Sequence, residues 1–184
     1  MTARDFFSRW RVRLGYLLGV AVLLLARPNP RSILLGAAVG VIGLAIRAYA
    51  AGYLHKQEVL TTTGPYGYTR NPLYFGSSIL AVGAAVAMRS WLAAALSLVF
   101  FAVVYTFVMR REEMELRGKH GAAFDAYAAS VPLFFPWLIR RSPPGGASGA
   151  FSWTQYKRNH EYEAPVGFLL FLILLAVIWR WRAL

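Results

Sequence analysis

Residues Leu73–Met88 read LYFGSSILAVGAAVAM, and after Arg89 and Ser90 the chain resumes as WLAAALSLVFFAVVYTFVM from Trp91 to Met109. Two apolar runs parted by a two-residue polar turn predict a tight antiparallel hairpin of helices. Neither run alternates as a half-buried strand would. In lipid each spanning segment must satisfy its own backbone hydrogen bonds, so helices are the default and a closed barrel is excluded by the pattern. Working outward, three further apolar blocks cover about residues 14–26, 33–54 and 166–181. The first is short against the ~20 residues that a span requires, and Phe6, Phe7 and Trp10 lengthen it upstream. The fold class expected is all-α integral membrane, with about five transmembrane helices.

Composition agrees. The 184 residues are 58% hydrophobic, too many for a soluble domain of this size, and one domain suffices for the length. That domain is expected to span 1–184, with a core over 33–136 and an interfacial segment plus last transmembrane helix over 151–184. Cysteine is absent, which removes disulfides, thiolate metal sites and cysteine nucleophiles. His55, His120 and His160 lack a metal-ligand spacing, and no metal site is expected. The formal charge of +12 is read as cationic flanks of membrane spans facing anionic lipid, not as a nucleic-acid footprint. No small-residue cleavage site follows the first block, so it reads as a retained span.

Charge asymmetry orients the chain. With the N-terminus inside, the outer segments carry only Arg27, Arg31, Arg89, Arg180 and Arg182; Arg47 lies within a span and the other basic residues fall inside. This predicts N-inside, C-outside and an odd number of spans. All eight acidic residues fall on the same inner face, which the positive-inside bias does not explain. The chemistry is therefore expected on the cytoplasmic face. Residues 110–129 read as a helical extension of the fourth span, interrupted near Gly118 and Gly121. Val131–Pro136 reads as a proline-bounded interfacial run, 142–149 as a flexible linker, and 151–163 as an amphipathic interfacial helix.

The stretch Gly64-Pro-Tyr-Gly-Tyr-Thr-Arg-Asn-Pro-Leu-Tyr-Phe-Gly76 is the densest in chemistry. Gly64 and Gly67 permit positive φ and close approach to a ligand. Pro65 and Pro72 stiffen the turn, and Pro72 suits the first turn of a helix whose N-terminal amides favour a carboxylate. Arg70 supplies a fork of donors; Tyr66, Tyr68 and Tyr74 supply ring faces. Glu112 and Glu113 sit at a helix end that prefers cations; either they pair with neighbouring arginines or they bind a ligand. Arg47, seven residues before Leu54, either snorkels to the inner interface or faces a cavity or partner. The Asn159–Glu163 cluster either lines a site or lies on a wet surface.

Gly64-Pro-Tyr66, Arg70-Asn-Pro-Leu-Tyr-Phe-Gly76, Glu112-Glu-Met-Glu-Leu116, Gly121, Tyr127 and Val131-Pro132 follow one another in this order. The string resembles the isoprenylcysteine carboxyl methyltransferase and phospholipid methyltransferase superfamily, over roughly residues 40 to 136. The resemblance implies a membrane enzyme using S-adenosyl-L-methionine, bound between the cytosolic ends of the helices. Carried over by position, Glu58, Val59, Leu60, Thr61, Tyr66, Asn71, Pro72, Leu73, Tyr74 and Glu112 would contact that cofactor. Arg70, Arg110 and Arg111 would orient the acceptor or the cofactor carboxylate. Two positions depart from the pattern. Asn71 replaces a histidine and hydrogen-bonds without titrating. Val108 stands where the isoprenylcysteine enzymes have the arginine that binds the substrate carboxylate.

The expected function is methyl transfer to a lipophilic acceptor, an isoprenylcysteine-type carboxylate or similar, at the cytoplasmic face. The expected partners are that acceptor and membrane lipids. Three alternatives stay open: a phospholipid N-methyltransferase, an NADPH-dependent steroid-reductase-like enzyme, and a non-enzymatic lipid-binding membrane protein.

Overall fold

The computed structural model describes residues 15–55, 59–139, 141 and 149–183. Among them are seven α-helices and no strand: α1 (Gly15–Leu25), α2 (Pro30–Tyr53), α3 (Pro72–Met88), α4 (Trp91–His120), α5 (Ala122–Ser130), α6 (Trp153–Arg158) and α7 (Glu163–Arg182), with a 3₁₀ turn at Gly64–Gly67. Helices α2, α4 and α7 are long and apolar enough to cross a membrane; α1 and α3 are shorter apolar helices. Only 11% of the apolar window of α4, and the same share of α7, is buried inside the protein. Faces so apolar and so open require lipid around them. The upstream extension of the first block, through Phe6, Phe7 and Trp10, lies outside the described residues.

Local chemistry sets the helix ends. Asn29 caps α2: its Oδ1 accepts from the Ser32 amide at 2.7 Å, and the Ser32 hydroxyl accepts from the Asn29 amide at 3.0 Å, with Pro30 at the first helical position. This reciprocal pair satisfies two amides that the helix leaves orphaned. The α3–α4 hairpin turns on Arg89, which adopts a left-handed conformation (φ 50°, ψ 39°), and on Ser90, whose hydroxyl accepts from the Ala93 amide. Helix α4 runs 30 residues, about 45 Å at the standard rise. That exceeds a ~30 Å hydrocarbon core, so its charged last third is more than a crossing requires.

The tightest packing joins α2 to α3, and it is made of glycine. A Cβ on Gly43 would lie 2.6 Å from the Gly76 carbonyl oxygen, and one on Gly83 2.7 Å from that of Gly36. The Phe168 ring of α7 lies directly over Gly40, and Phe151 over Gly52. Small residues let helix backbones approach closely where lipid supplies no hydrophobic drive between helices.

Two expectations are corrected. The extension of α4 continues helically through Gly118 and breaks only at Gly121, where φ is +51°. The interfacial helix predicted over 151–163 shortens to α6, because Asn159–Tyr162 turn the chain into α7. Of the two glycines of the turn that permit positive φ, Gly64 adopts it, at +58°.

Candidate active site

The turn between α2 and α3 is held by the segment after α5. Backbone amides cross both ways at 2.9 Å: Arg70 donates to the Pro132 carbonyl, Trp137 to that of Tyr68, and Arg141 to that of Gly67. Side chains add to the seam. The Asn71 amide donates to the Leu133 carbonyl at 2.9 Å, and the Thr69 hydroxyl to that of Phe134 at 2.9 Å. Asn71 therefore anchors the turn, a task its NH₂ group performs without titrating. Below the turn Gly64 packs against the Tyr53 ring, where a Cβ would come within 2.6 Å.

A cavity of about 840 Å³ opens between this turn, the last third of α4, α5 and the approach to α7. Tyr74 donates to Glu112 at 2.6 Å, so the turn and the acidic pair meet directly. Arg70 and Glu113, both mostly buried, form an ion pair at 2.6 Å. Arg47 grips Glu161 with two donors, Nε at 2.6 Å and Nη2 at 3.0 Å, and its Nη1 donates to Ser77. Arg47 thus has a buried partner and does not snorkel alone. A two-point fork fixes geometry as well as charge. Five glutamates line the cavity against Arg47, Arg70 and Lys119.

The polar segment before α7 also closes the end of α2. Gln155 donates to the Leu54 carbonyl at 2.8 Å, and Asn159 to those of Ala51 and Leu54 at 2.8 and 2.9 Å. A helix C-terminus leaves carbonyls without intrahelical donors, and these amides meet them. Asn159 is thereby a cap, while Glu161 faces the cavity.

Tyr66 lies at the cavity wall, 6% exposed, and its hydroxyl has no hydrogen-bond partner among the described residues. A buried hydroxyl left unmet costs about 1–3 kcal/mol. Its backbone carbonyl, in contrast, accepts from the Tyr127 hydroxyl at 2.7 Å. Burial pushes the Tyr66 phenol well above the ordinary tyrosine range, with Tyr127, Glu112, Tyr74 and Glu161 adding to the rise. Burial raises Tyr127 likewise, while Arg70 pulls it back. In the unfolded chain both phenols ionise near pH ~10, whereas the folded protein keeps their protons. The folded state then binds more protons above that pH, so stability is retained below about pH 10 and falls as pH rises through the window above it. Thermal melts at rising pH should show this fall above about pH 10. Tyr66→Phe should make the fall shallower, and an unchanged fall would show that Tyr66 is not a group responsible.

The structure brings Val59, Leu60, Thr61, Tyr66, Arg70, Asn71, Pro72, Leu73, Tyr74 and Glu112 to this one cavity. Glu58 lies outside the described residues. Arg110 and Arg111 do not line the cavity: both are exposed, and Arg111 pairs with Glu115 one helical turn on at 2.7 Å. Sequence reasoning missed His55, Leu116, Lys119, His120 and Phe124, all of which line the cavity. Leu116, Lys119 and His120 follow Glu112 at helical spacings of four, seven and eight, a signal open to reading once α4 is known to continue. Among the described residues no group of three or more His, Asp or Glu is placed to hold a metal ion.

The model of the phospholipid methyltransferase family matches residues 31–123, half of the chain. The chain belongs to the phospholipid methyltransferase family. That family is part of the isoprenylcysteine carboxyl methyltransferase-like superfamily. The matched span carries the turn, Arg47, Arg70 and Glu112, and leaves Tyr127, Glu161 and α7 outside it. Two relatives of this phospholipid methyltransferase family chain are named for metal resistance. The nickel-cobalt-cadmium resistance protein NccN of Alcaligenes xylosoxydans xylosoxydans is 36% identical over 106 residues, covering 54% of this chain and 49% of that one. The cobalt-zinc-cadmium resistance protein CzcN of Cupriavidus metallidurans is 32% identical over 107 residues, covering 57% and 48%. The chain spans about half the length of these curated relatives. No solved structure matches it.

Proposed function

We propose that this chain is a single-domain membrane enzyme that transfers a methyl group from S-adenosyl-L-methionine to a lipophilic acceptor. The carrying observation is the convergence of Tyr66, Tyr74 and Glu112 on one cavity, with the Tyr66 hydroxyl buried at its wall and unmet. The five apolar helices support five spans, and the charge asymmetry supports an odd number of spans, the N-terminus inside and a cavity facing the cytoplasm. The bonds from α6 to α2 support one domain across the 142–148 segment.

The residues fit the cofactor. Val59, Leu60, Leu73 and Phe124 offer apolar walls, and the first amides of α3 after Pro72 suit a carboxylate. Glu112 suits a cationic or amine group, and Tyr66 supplies the spare donor. A cavity of about 840 Å³ is at the upper end of what a single small ligand requires, leaving space for the head of an acceptor. The cofactor, when bound, supplies a methyl group activated on a sulfonium. The chain's own contribution is positioning and exclusion of water, which such a displacement chiefly needs.

The lining favours an amine-bearing acceptor over the carboxylate first expected. Glutamates outnumber cations there, Arg47 and Arg70 are already matched to Glu161 and Glu113, and Val108 stands where a carboxylate-binding arginine would be. Transfer to an amine also releases a proton, and the lining carboxylates are there to take it.

Calorimetric titration with S-adenosylhomocysteine tests the reading. Binding in the micromolar range is expected, and both Glu112→Gln and Tyr66→Phe should weaken it about 10-fold, the equivalent of one hydrogen bond to a charged or buried group. No heat at high micromolar ligand would overturn the cofactor assignment. Thermal protection by NADPH in place of the adenosyl ligand would move the chain to the reductase reading.

A further inference from the structure

The run Val131–Pro136, expected as an interfacial stretch, divides in two. Val131 is buried beside Phe124 and Tyr127, and Pro132 to Phe134 supply carbonyls to the turn. The apolar surface lies further on. Phe135 is 76% exposed, Trp137 49%, Leu138 99% and Ile139 73%. These side chains project from a loop hung between two backbone bonds, Trp137 to Tyr68 and Arg141 to Gly67. Four large apolar groups in five residues, with Leu138 wholly bare, do not remain in water without a partner.

We propose that Phe135–Ile139 is a lipid-inserting wedge that seats the active-site turn on the bilayer surface. Continuity with the spanning helices identifies lipid as the occupant. Phe135 meets Phe134 at 5.2 Å between ring centres, and Phe134 meets Phe75, in the first turn of α3, at 5.9 Å. An aromatic chain therefore leads from an apolar helix into the loop. The loop is also bonded to the polar turn that joins two apolar helices, α2 and α3. The Arg141 guanidinium lies 4.5 Å over the Trp137 ring, joining an interfacial aromatic to a cation that suits an anionic lipid phosphate. Tyr68 accepts from Trp137 within the wedge, Gly67 accepts from Arg141 just after it, and Thr69, Arg70 and Asn71 bond to Pro132–Phe134 just before it. Seating the wedge consequently fixes the wall of the cavity that carries Tyr66 and Asn71.

The chain has no cysteine, so Leu138→Cys gives a single site for a nitroxide label. Its accessibility is read in nanodiscs containing phosphatidylglycerol, with oxygen as the apolar relaxer and a nickel chelate as the aqueous one. Val99→Cys, on the open face of α4, serves as the lipid reference, and Gly118→Cys, with open space around it, as the aqueous reference. The label at 138 should match Val99 in favouring oxygen. A match to Gly118 would overturn the proposal, as would shielding from both relaxers, which marks a contact with a second copy. The coupling is read separately, by amide exchange of Leu138→Asp/Ile139→Asp in the same nanodiscs. The Arg70, Trp137 and Arg141 amides should exchange at least roughly tenfold faster; unchanged rates would overturn the link to the site. Neither measurement uses a ligand, so both stand apart from the cofactor assignment.

Discussion

Arg47→Met should destabilise the protein by about 3–5 kcal/mol, on the order of a 10 °C fall in melting temperature. The reason is what the substitution leaves behind. Glu161 is 6% exposed and accepts two bonds from Arg47; without the guanidinium it is a buried carboxylate with no counter-charge. Ser77 is less affected, because its hydroxyl also donates to the Leu73 carbonyl at 2.9 Å. The double variant Arg47→Met/Glu161→Leu should recover most of the loss, since replacing both members of a buried pair by apolar groups is often neutral. Melts of the four proteins in one detergent make the cycle. A single-variant loss below about 1 kcal/mol, the scale of a solvated surface pair, would refute the buried clamp.

The second large effect is expected from the smallest change. Gly43→Ala adds one methyl group, which would meet the Gly76 carbonyl oxygen and the Leu80 amide nitrogen, each at 2.6 Å. Both are backbone atoms of a packed helix, so α2 and α3 must move apart. Overpacking of this kind costs about 1–3 kcal/mol where side chains yield, and more where they cannot. Loss of monodisperse protein, or a melting temperature lowered by 10 °C or so, is the expected readout. Gly19→Ala and Gly167→Ala are the controls. Nothing lies within 4 Å of either added methyl, and helix propensity alone predicts a gain of up to about 1 kcal/mol. Equal losses at all three positions would mean that close packing is not the cause.

The fold was legible wherever apolar length carries the information. Each apolar block became a helix, and the Arg89–Ser90 hairpin formed where two polar residues interrupt the run. The meeting of the turn with Glu112 and Glu113 was legible too, because both flank the same ends of the hairpin. Three things were not. Backbone bonds from 132–141 to the turn leave no mark on residue identity, so the role of that segment was hidden. The partner of Arg47 lies far along the chain, past a linker, and nothing local points to it. The glycine seam of Gly36, Gly40, Gly43, Gly76 and Gly83 was the third, because helical spacing alone does not say which helices meet. Arg110 and Arg111 misled for a related reason: neighbours of Glu112 in sequence point elsewhere around α4, since a helix turns each residue by about 100° from the last.

Glu161 follows Arg47 by 114 residues, and this separation has a consequence in time. A chain made from its N-terminus places α2 in the bilayer with its cation uncompensated, and every residue of the family-matched span is synthesised before the answering carboxylate. The same late segment brings Gln155 and Asn159 to the open carbonyls of α2. Synthesis of the segment that carries Gln155, Asn159 and Glu161 is therefore the event that completes the site. A ribosome-bound chain that has displayed every signature residue still has one wall of its cavity to make.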